Sequence, residues 1–411
     1  MQAQHHSEPA TPATPDAAAS ASSPAQAVAD LSARLQAARA AGHCVRVRGG
    51  GTKDFYGNAL QGEVLSTAAL DHVVAYEPTE LVITVGAGMR LDALNALLAA
   101  NQQCLPCDPP QFGAGSTIGG VVASALAGPA RASVGGVKDF VLGIEMLDGT
   151  GQALRFGGQV MKNVAGYDMS RLMVGSMGTL GVLTEISVKV LPIATAQATL
   201  QLRCSQTQAL TLINQWGGEP LPLNASTWLV EDGVDTFYLR LRGAKAAVDA
   251  ACQYIPAQAR AAQVACEVLA GGGCGAASGG DSDGEAVRIE ALWASWRDQT
   301  HAFFQAPSPE LCLWRVSVAQ TAPALDLPYA TLVEWHGAQR WLWAPANQAQ
   351  GIRAAAVQAG GHATLFRASP AHGEADKQVG VFQAPQQAVA EVGQRLSEQL
   401  DPHRVFATAR M

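Results

Sequence analysis

Arg48-Gly49-Gly50-Gly51-Thr52-Lys53 is the stretch on which the fold reading turns. It follows Val45-Arg46-Val47-Arg48, whose alternation of apolar and charged residues reads as a short strand. Three glycines in a row let backbone N–H groups approach an anion closely, and Thr52 adds a hydroxyl. A pyrophosphate suits such a loop. The run departs from the dinucleotide fingerprint, because no third glycine stands at the required offset, and from the P-loop, because no G-K-S/T follows four spacer residues. Taken alone, the loop reads equally well as a tight surface turn.

Two further glycine-dense segments lie downstream. Residues 113–124 place Thr117, Gly119 and Gly120 at a helix start, where unsatisfied N–H groups and the helix dipole favour negative charge. A close helix contact permitted by Gly and Ala is the structural alternative there. Residues 175–181, Gly-Ser-Met-Gly-Thr-Leu-Gly, open a strand whose backbone is suited to run along a flat heterocycle. Three such segments in one half of the chain, each at the edge of an expected strand or helix, point to one shared ligand.

Around them the pattern is mixed. Val28, Leu31, Leu35 and Ala38 recur at helical spacing until Gly42. Residues 64–65, 73–76 and 81–85 read as strands, and Leu91, Leu94, Leu97 and Leu98 share one helix face. Residues 141–147 and 153–156, joined by Asp148-Gly149-Thr150-Gly151, read as a hairpin, 167–174 as a helix and 182–191 as a long strand. Beyond Pro192, strands at 199–203, 228–230, 236–241, 313–318, 331–335, 340–343 and 363–366 alternate with helices at 206–216, 244–254 and 348–359. That order fits an antiparallel sheet backed by helices. The fold class expected is α+β, as a two-subdomain cofactor domain over residues 26–193 and an α+β cap over 194–370. Residues 1–25 read as a disordered tail, 271–284 as a mobile Gly/Ser/Asp-rich loop, and 371–411 as a segment packing back on the first domain.

At 411 residues and 48% hydrophobic content, the chain has material for two cores. A net charge of −7 without a Lys/Arg block argues against nucleic acid. Eight scattered cysteines read as reduced thiols in a cytoplasmic protein, and Cys104-x-x-Cys107 lacks a second pair at zinc spacing, so no metal is expected. No apolar run reaches the ~18 residues a bilayer span requires. Membrane association is therefore expected only through partner subunits.

The motifs at 48–53, Thr117-Ile118-Gly119-Gly120, Lys138-Asp139-Phe140-Val141-Leu142-Gly143 and 175–181 occur in the order seen in the FAD-binding domain of the vanillyl-alcohol-oxidase superfamily, the PCMH type, which residues 28–193 resemble. The resemblance implies noncovalent FAD, since Thr52 stands where covalent members carry a histidine. It implies a binding set of Arg48, Gly49, Gly50, Gly51, Thr52, Lys53, Thr117, Gly119, Gly120, Asp139, Gly143, Gly178, Leu180, Gly181 and Val182.

Residues 160–168 with Ser170-Arg171-Leu172, together with 334–342 and 360–365, resemble the E-subunit group of the glycolate oxidase branch. That implies a D-type catalytic flavoprotein and an iron-sulfur F-type subunit as partners, with glycolate or another small 2-hydroxy acid oxidised by the complex. Met177 stands where D subunits carry Glu, Phe406-Ala407-Thr408-Ala409 replaces a terminal F-N-P-G, and the G-E-H-G-I-G motif that places hydroxy acid and metal in D subunits is missing. The isolated histidines at 301, 336, 362, 372 and 403 form no H-x-x-H pair. His336 and His362, near Arg340 and Arg367, are the candidates for substrate chemistry, and no catalytic base is assigned. A free-standing FAD dehydrogenase for a hydroxy acid or sugar lactone, and a noncatalytic assembly subunit with a structural flavin, are the alternatives.

Overall fold

The computed structural model describes residues 23–158, 167–269 and 282–411. The expected tail up to residue 22, most of the loop at 271–284 and most of the 160–168 motif lie outside the described residues.

The chain enters through the helix Pro24–Ala41. Ser23 accepts from the Gln26 N–H, Pro24 occupies the first turn where no N–H is missed, and Gly42 at φ +67° closes the end. Ala27, Leu31, Leu35 and Ala38 form its buried stripe, packed on Val45, Leu65, Leu147 and Val182. Val45–Arg48 pairs in parallel with Glu63–Ser66 beside this helix, and the glycine loop leaves from the end of that pair.

A five-stranded antiparallel sheet follows, in spatial order 73–77, 82–86, 182–189, 141–147, 153–157. Its centre, Val182–Lys189, is buried along nearly its whole length. Val182, Ile186 and Val188 share one face of it, while Glu185, Ser187 and Lys189 alternate on the other. The helices Leu91–Ala100 and Ile118–Ser124 close one side through Leu91, Leu94, Leu98, Val121 and Val122.

The second half is an eight-stranded antiparallel sheet in the order 265–269, 196–203, 234–243, 223–231, 331–334, 339–344, 312–317, 362–367. Helices Gln206–Gly217, Lys245–Ala261 and Ala349–Gln358 back it, burying Trp216, Ile255 and Ile352. Against its other face sit Trp293 and Trp296, from the helix Ser282–Arg297, and Tyr56 and Leu126 from the first half. This shared aromatic core fixes the cap over the cofactor half.

Three features differ from the sequence expectations. The helix from 245 runs on through Pro256 to Ala261, the strand Ala265–Leu269 extends the sheet, and a helix begins at 282, inside the expected loop. Past residue 371 the chain forms the exposed helix Gln387–Leu400, then returns to the first half. Asp401 accepts from the Val405 and Phe406 N–H groups at 2.8 and 2.7 Å, and both apolar side chains are buried against the entry helix. Among the described residues no helix is long and apolar enough to cross a membrane.

Candidate cofactor site

The three glycine segments meet. Residues 46–54, Leu60, Thr117, Gly120, Ala123, Ser124, Met177, Gly178, Thr408 and Arg410 wall a cavity with an empty volume, open mouth included, of about 670 Å³. It shares Val47, Gly49, Gly120, Ala123, Met177 and Gly178 with a deeper one of about 450 Å³, so the two are one elongated crevice.

The glycines act first on one another. A Cβ on Gly50 would collide with the Gly115 carbonyl oxygen, and one on Gly49 with the Thr117 hydroxyl. Their absent side chains let the first loop press onto the second, and the crevice exists because of that contact. Gly51, at φ +75°, turns the backbone where a side chain is strained. Among the described residues, the N–H groups of Gly50, Gly51, Thr52 and Lys53 donate to no protein acceptor. A row of free donors in one turn at the mouth of a crevice has the form of an anion-binding feature.

Charge agrees. Arg46, Arg48, Lys53 and Arg410 line the outer crevice, with Asp54 as the lone carboxylate there. Asp54 is held by the Arg48 Nε at 2.7 Å. Arg410 reaches back to donate to the carbonyls of Lys53 and Tyr56 at 3.0 and 2.8 Å, while its own carbonyl accepts from the Asn58 N–H at 3.0 Å. Lys53 donates to the Ser116 hydroxyl at 2.8 Å.

The second segment behaves differently from expectation. The N–H of Ile118 bonds Met89 O, that of Gly119 bonds Ala87 O, and that of Gly120 bonds the Thr117 hydroxyl at 3.2 Å. This helix start therefore supplies wall and hydroxyl rather than free donors. Thr117→Val keeps the shape but removes the cap, and is expected to cost about 1 kcal/mol of stability in a urea melt. The third segment supplies the inner wall. Met177 sits at φ +54° and Gly178 at φ +74°, the latter pressed onto Val47, and Ser176 points a buried, unpartnered hydroxyl among the residues of the deeper cavity.

Of the residues assigned from sequence, Arg48, Gly49, Gly50, Gly51, Thr52, Lys53, Thr117, Gly119, Gly120, Gly178 and Gly181 line the crevice. Four others do not. Asp139 caps the Gly136 N–H at 2.8 Å, Gly143 is pressed against the Gly158 backbone, and Leu180 and Val182 bury their side chains in the cores. The sequence reading missed Arg46, Ser176, Met177, Thr408 and Arg410. Arg46 shares a strand face with Arg48, a signal available from the alternation. Arg410 offered none, since it reaches the site only through tertiary return of the terminus.

Of the two histidine candidates, His362 is exposed at the start of the edge strand His362–Arg367, and His336 is structural. His336 stands at φ +56° in the turn after Thr331–Glu334, with its ring nitrogens bonded to the Ser133 and Ser226 hydroxyls at 2.8 and 2.9 Å. Burial pushes its imidazole down to about 4, so it is neutral. Arg340 spends its guanidinium on three carbonyls, of Gly337, Pro323 and Ala322, and Arg367 bonds Gln299, so neither is a free cation for a substrate. Burial raises the Cys107 thiol to about 12, far from a reactive thiolate.

A crevice with a row of free N–H donors, surrounding cations and a slot walled by small residues fits an extended dinucleotide carrying a diphosphate and a flat ring. A family model described as "FAD binding domain" matches residues 23–157. An alkyldihydroxyacetonephosphate synthase structure superimposes with a TM-score of 0.61 at 15% identity, covering 92% of this chain and 74% of that one, which shows the shared fold. The chain is an FAD-binding flavoprotein of the PCMH type.

Glycolate oxidase subunit GlcE of Escherichia coli (strain K12) is 40% identical over 365 residues, 89% of this chain and 91% of that protein. Glycolate oxidase subunit GlcD of Bacillus subtilis (strain 168) is 36% identical over 140 residues, 34% of this chain and 29% of that protein. The chain belongs to the GlcE family of glycolate oxidase subunits.

Proposed function

We propose that this chain is the second FAD-binding subunit of a glycolate-oxidising complex, working beside a D-type flavoprotein and an iron-sulfur F-type subunit. The observation that carries the cofactor part is the free N–H row of residues 50–53 facing a cation-lined crevice. In this reading Gly50, Gly51, Thr52 and Lys53 hold the diphosphate, and Arg46, Arg48 and Arg410 balance its charge. Thr117 and Ser176 offer hydroxyls along the crevice. The slot between Ala87, Gly119, Gly181 and Leu183 holds the flat ring. FAD supplies acceptance of a hydride equivalent. Among the described residues, no His, Cys or Tyr lines the crevice, which supports a noncovalent flavin. We assign the cofactor half to residues 26–193 and the cap to 194–370. Any membrane contact of the complex is made through partner subunits.

Purified full-length chain is expected to carry close to one FAD, released intact by acid, and to co-purify with a D-type subunit when the two are expressed together. Protein that takes up no flavin removes the proposal. Bleaching of its flavin by glycolate without any partner favours the free-standing enzyme instead.

Lys53 makes the binding pH-dependent. Burial pushes its ammonium down to about 8, with Asp298 pulling it upward. A neighbouring diphosphate favours the charged form, so binding takes up a proton wherever free Lys53 is neutral. FAD affinity is then full below about pH 8 and falls several-fold as pH rises towards about 9.5. Stability of the FAD-free chain runs the other way. The folded value lies below the unfolded one, so the unfolded chain binds more protons in that window and the fold gains stability as pH rises through it. Fluorescence titration of FAD against pH, with Lys53→Met as the flat control, checks this.

A further inference from the structure

Among the described residues, everything that lines the crevice belongs to the first half or to the returning terminus, and the cap contributes nothing to its wall. The loop that carries the free N–H groups is nevertheless tied to the cap. Phe55 and Tyr56 lie two and three residues past Lys53, and both rings enter the aromatic core shared with the cap sheet. Phe55 meets Phe366 at 5.5 Å between ring centroids, and Tyr56 meets Phe366 at 5.1 Å and Phe382 at 5.6 Å. The guanidinium of Arg367 lies 5.1 Å from the centre of the Phe55 ring, and that of Arg315 lies 5.5 Å from the centre of the Tyr56 ring.

One contact in this cluster is directional. Arg315, from the cap strand Cys312–Ser317, donates through a terminal nitrogen to the Tyr56 hydroxyl at 2.9 Å. Tyr56 is only 4% exposed, so solvent has little access to replace that donor. Between the ring and the free donors the backbone has no slack. The Tyr56 N–H bonds the Lys53 carbonyl, and the Asp54 N–H bonds the Gly51 carbonyl, each at 3.1 Å. A peptide unit is planar, so the Lys53 carbonyl moves with the Asp54 N–H, and the Gly51 carbonyl moves with the Thr52 N–H. A displacement of Tyr56 therefore passes through two hydrogen bonds and two rigid planes to a free donor of the glycine loop. Arg410, bonded to the carbonyls of Lys53 and Tyr56, braces the same turn.

We propose that Tyr56 and Arg315 are positioning residues for the cofactor, through which the cap holds the 51–56 turn in the shape that aims the N–H groups of residues 50–53 into the crevice. Neither residue lines the crevice itself. By linkage, whatever loosens the strand Cys312–Ser317 lowers FAD affinity, and bound FAD steadies that strand in return. The inference rests on the reading of residues 50–53 as the diphosphate loop.

The test is fluorescence titration of FAD into full-length Tyr56→Phe, Arg315→Met and the double variant. Tyr56→Phe keeps the ring and its packing and removes only the hydroxyl. Each single variant is expected to bind FAD about 5–20-fold more weakly. The double variant is expected to lose no more than about twofold beyond the weaker single, because both substitutions break one bond. Deuterium uptake of the FAD-free chain over residues 50–57 is expected to quicken in Tyr56→Phe and Arg315→Met, while uptake over the strand Val182–Lys189 is unchanged. Should Arg315→Met fail to fold, Tyr56→Phe alone decides by affinity and uptake. Wild-type affinity in the single variants, losses that multiply in the double variant, or unchanged uptake over 50–57 overturns the inference. A chain that takes up no FAD sinks the functional reading instead, whereas one that binds FAD equally well with and without the Tyr56 hydroxyl sinks this inference alone.

Discussion

Gly50→Val is expected to abolish cofactor binding while the chain stays folded. The valine side chain would meet the Gly115 carbonyl, a backbone group that cannot swing aside as a flexible side chain can. Either the first loop or the second must then move, and the N–H groups of residues 50–53 lose their common focus. Losing two charge-assisted hydrogen bonds, each worth about 1.5–3 kcal/mol, lowers FAD affinity by roughly 100-fold or more. The cores lie away from this contact, so the melting curve of the FAD-free chain is expected to move little. Gly393→Ala is the matched control. It lies in the exposed helix Gln387–Leu400 with nothing within 4 Å of the added Cβ, and should keep FAD and gain about 0.5–1 kcal/mol. Bound flavin per chain, read from the absorbance of gel-filtered protein, separates the two. Wild-type flavin content in Gly50→Val would mean that the loop contact does not shape the site.

Deleting residues 408–411 is the second large effect. The cut removes Arg410, which holds the Lys53 and Tyr56 carbonyls, and its carbonyl, which holds the Asn58 N–H. Val405 and Phe406, the residues that anchor the terminus in the core, remain. The glycine loop then loses both a brace and a cation, and FAD affinity is expected to fall about 10–100-fold with little loss of fold. The remaining affinity should depend less on salt, because fewer charges face the diphosphate. Full affinity in the truncated chain would show that the terminus is a bystander.

These two tests mark how far the site was legible. Local chemistry located the first loop, because a strand pattern running into three glycines has few other uses. The order of the glycine segments supplied the rest of the wall. What the sequence hid was division of labour. Gly119 and Gly120 look like an anion-binding helix start, yet their N–H groups are taken up by Ala87 and Thr117, a pairing set by tertiary packing that no local pattern carries. Leu180 and Val182 fell in a motif but bury their side chains in two different cores, which the motif itself does not reveal. Arg410 enters by a chain return spanning most of the sequence. In the cap, strands with β-branched and aromatic residues were visible, whereas Ala265–Leu269 begins with Ala-Cys-Glu and gave little signal. His336 was attractive as an isolated histidine beside an arginine. Its neighbours in space, Ser133 and Ser226, make it a buried tie between the two halves.

The most direct measurement of the central claim is an experimental structure of the chain with FAD bound. The diphosphate oxygens should lie within about 3.2 Å of the backbone nitrogens of Gly50 to Lys53, with Arg410 alongside. A diphosphate seated elsewhere, with those four N–H groups facing only solvent, would contradict the account.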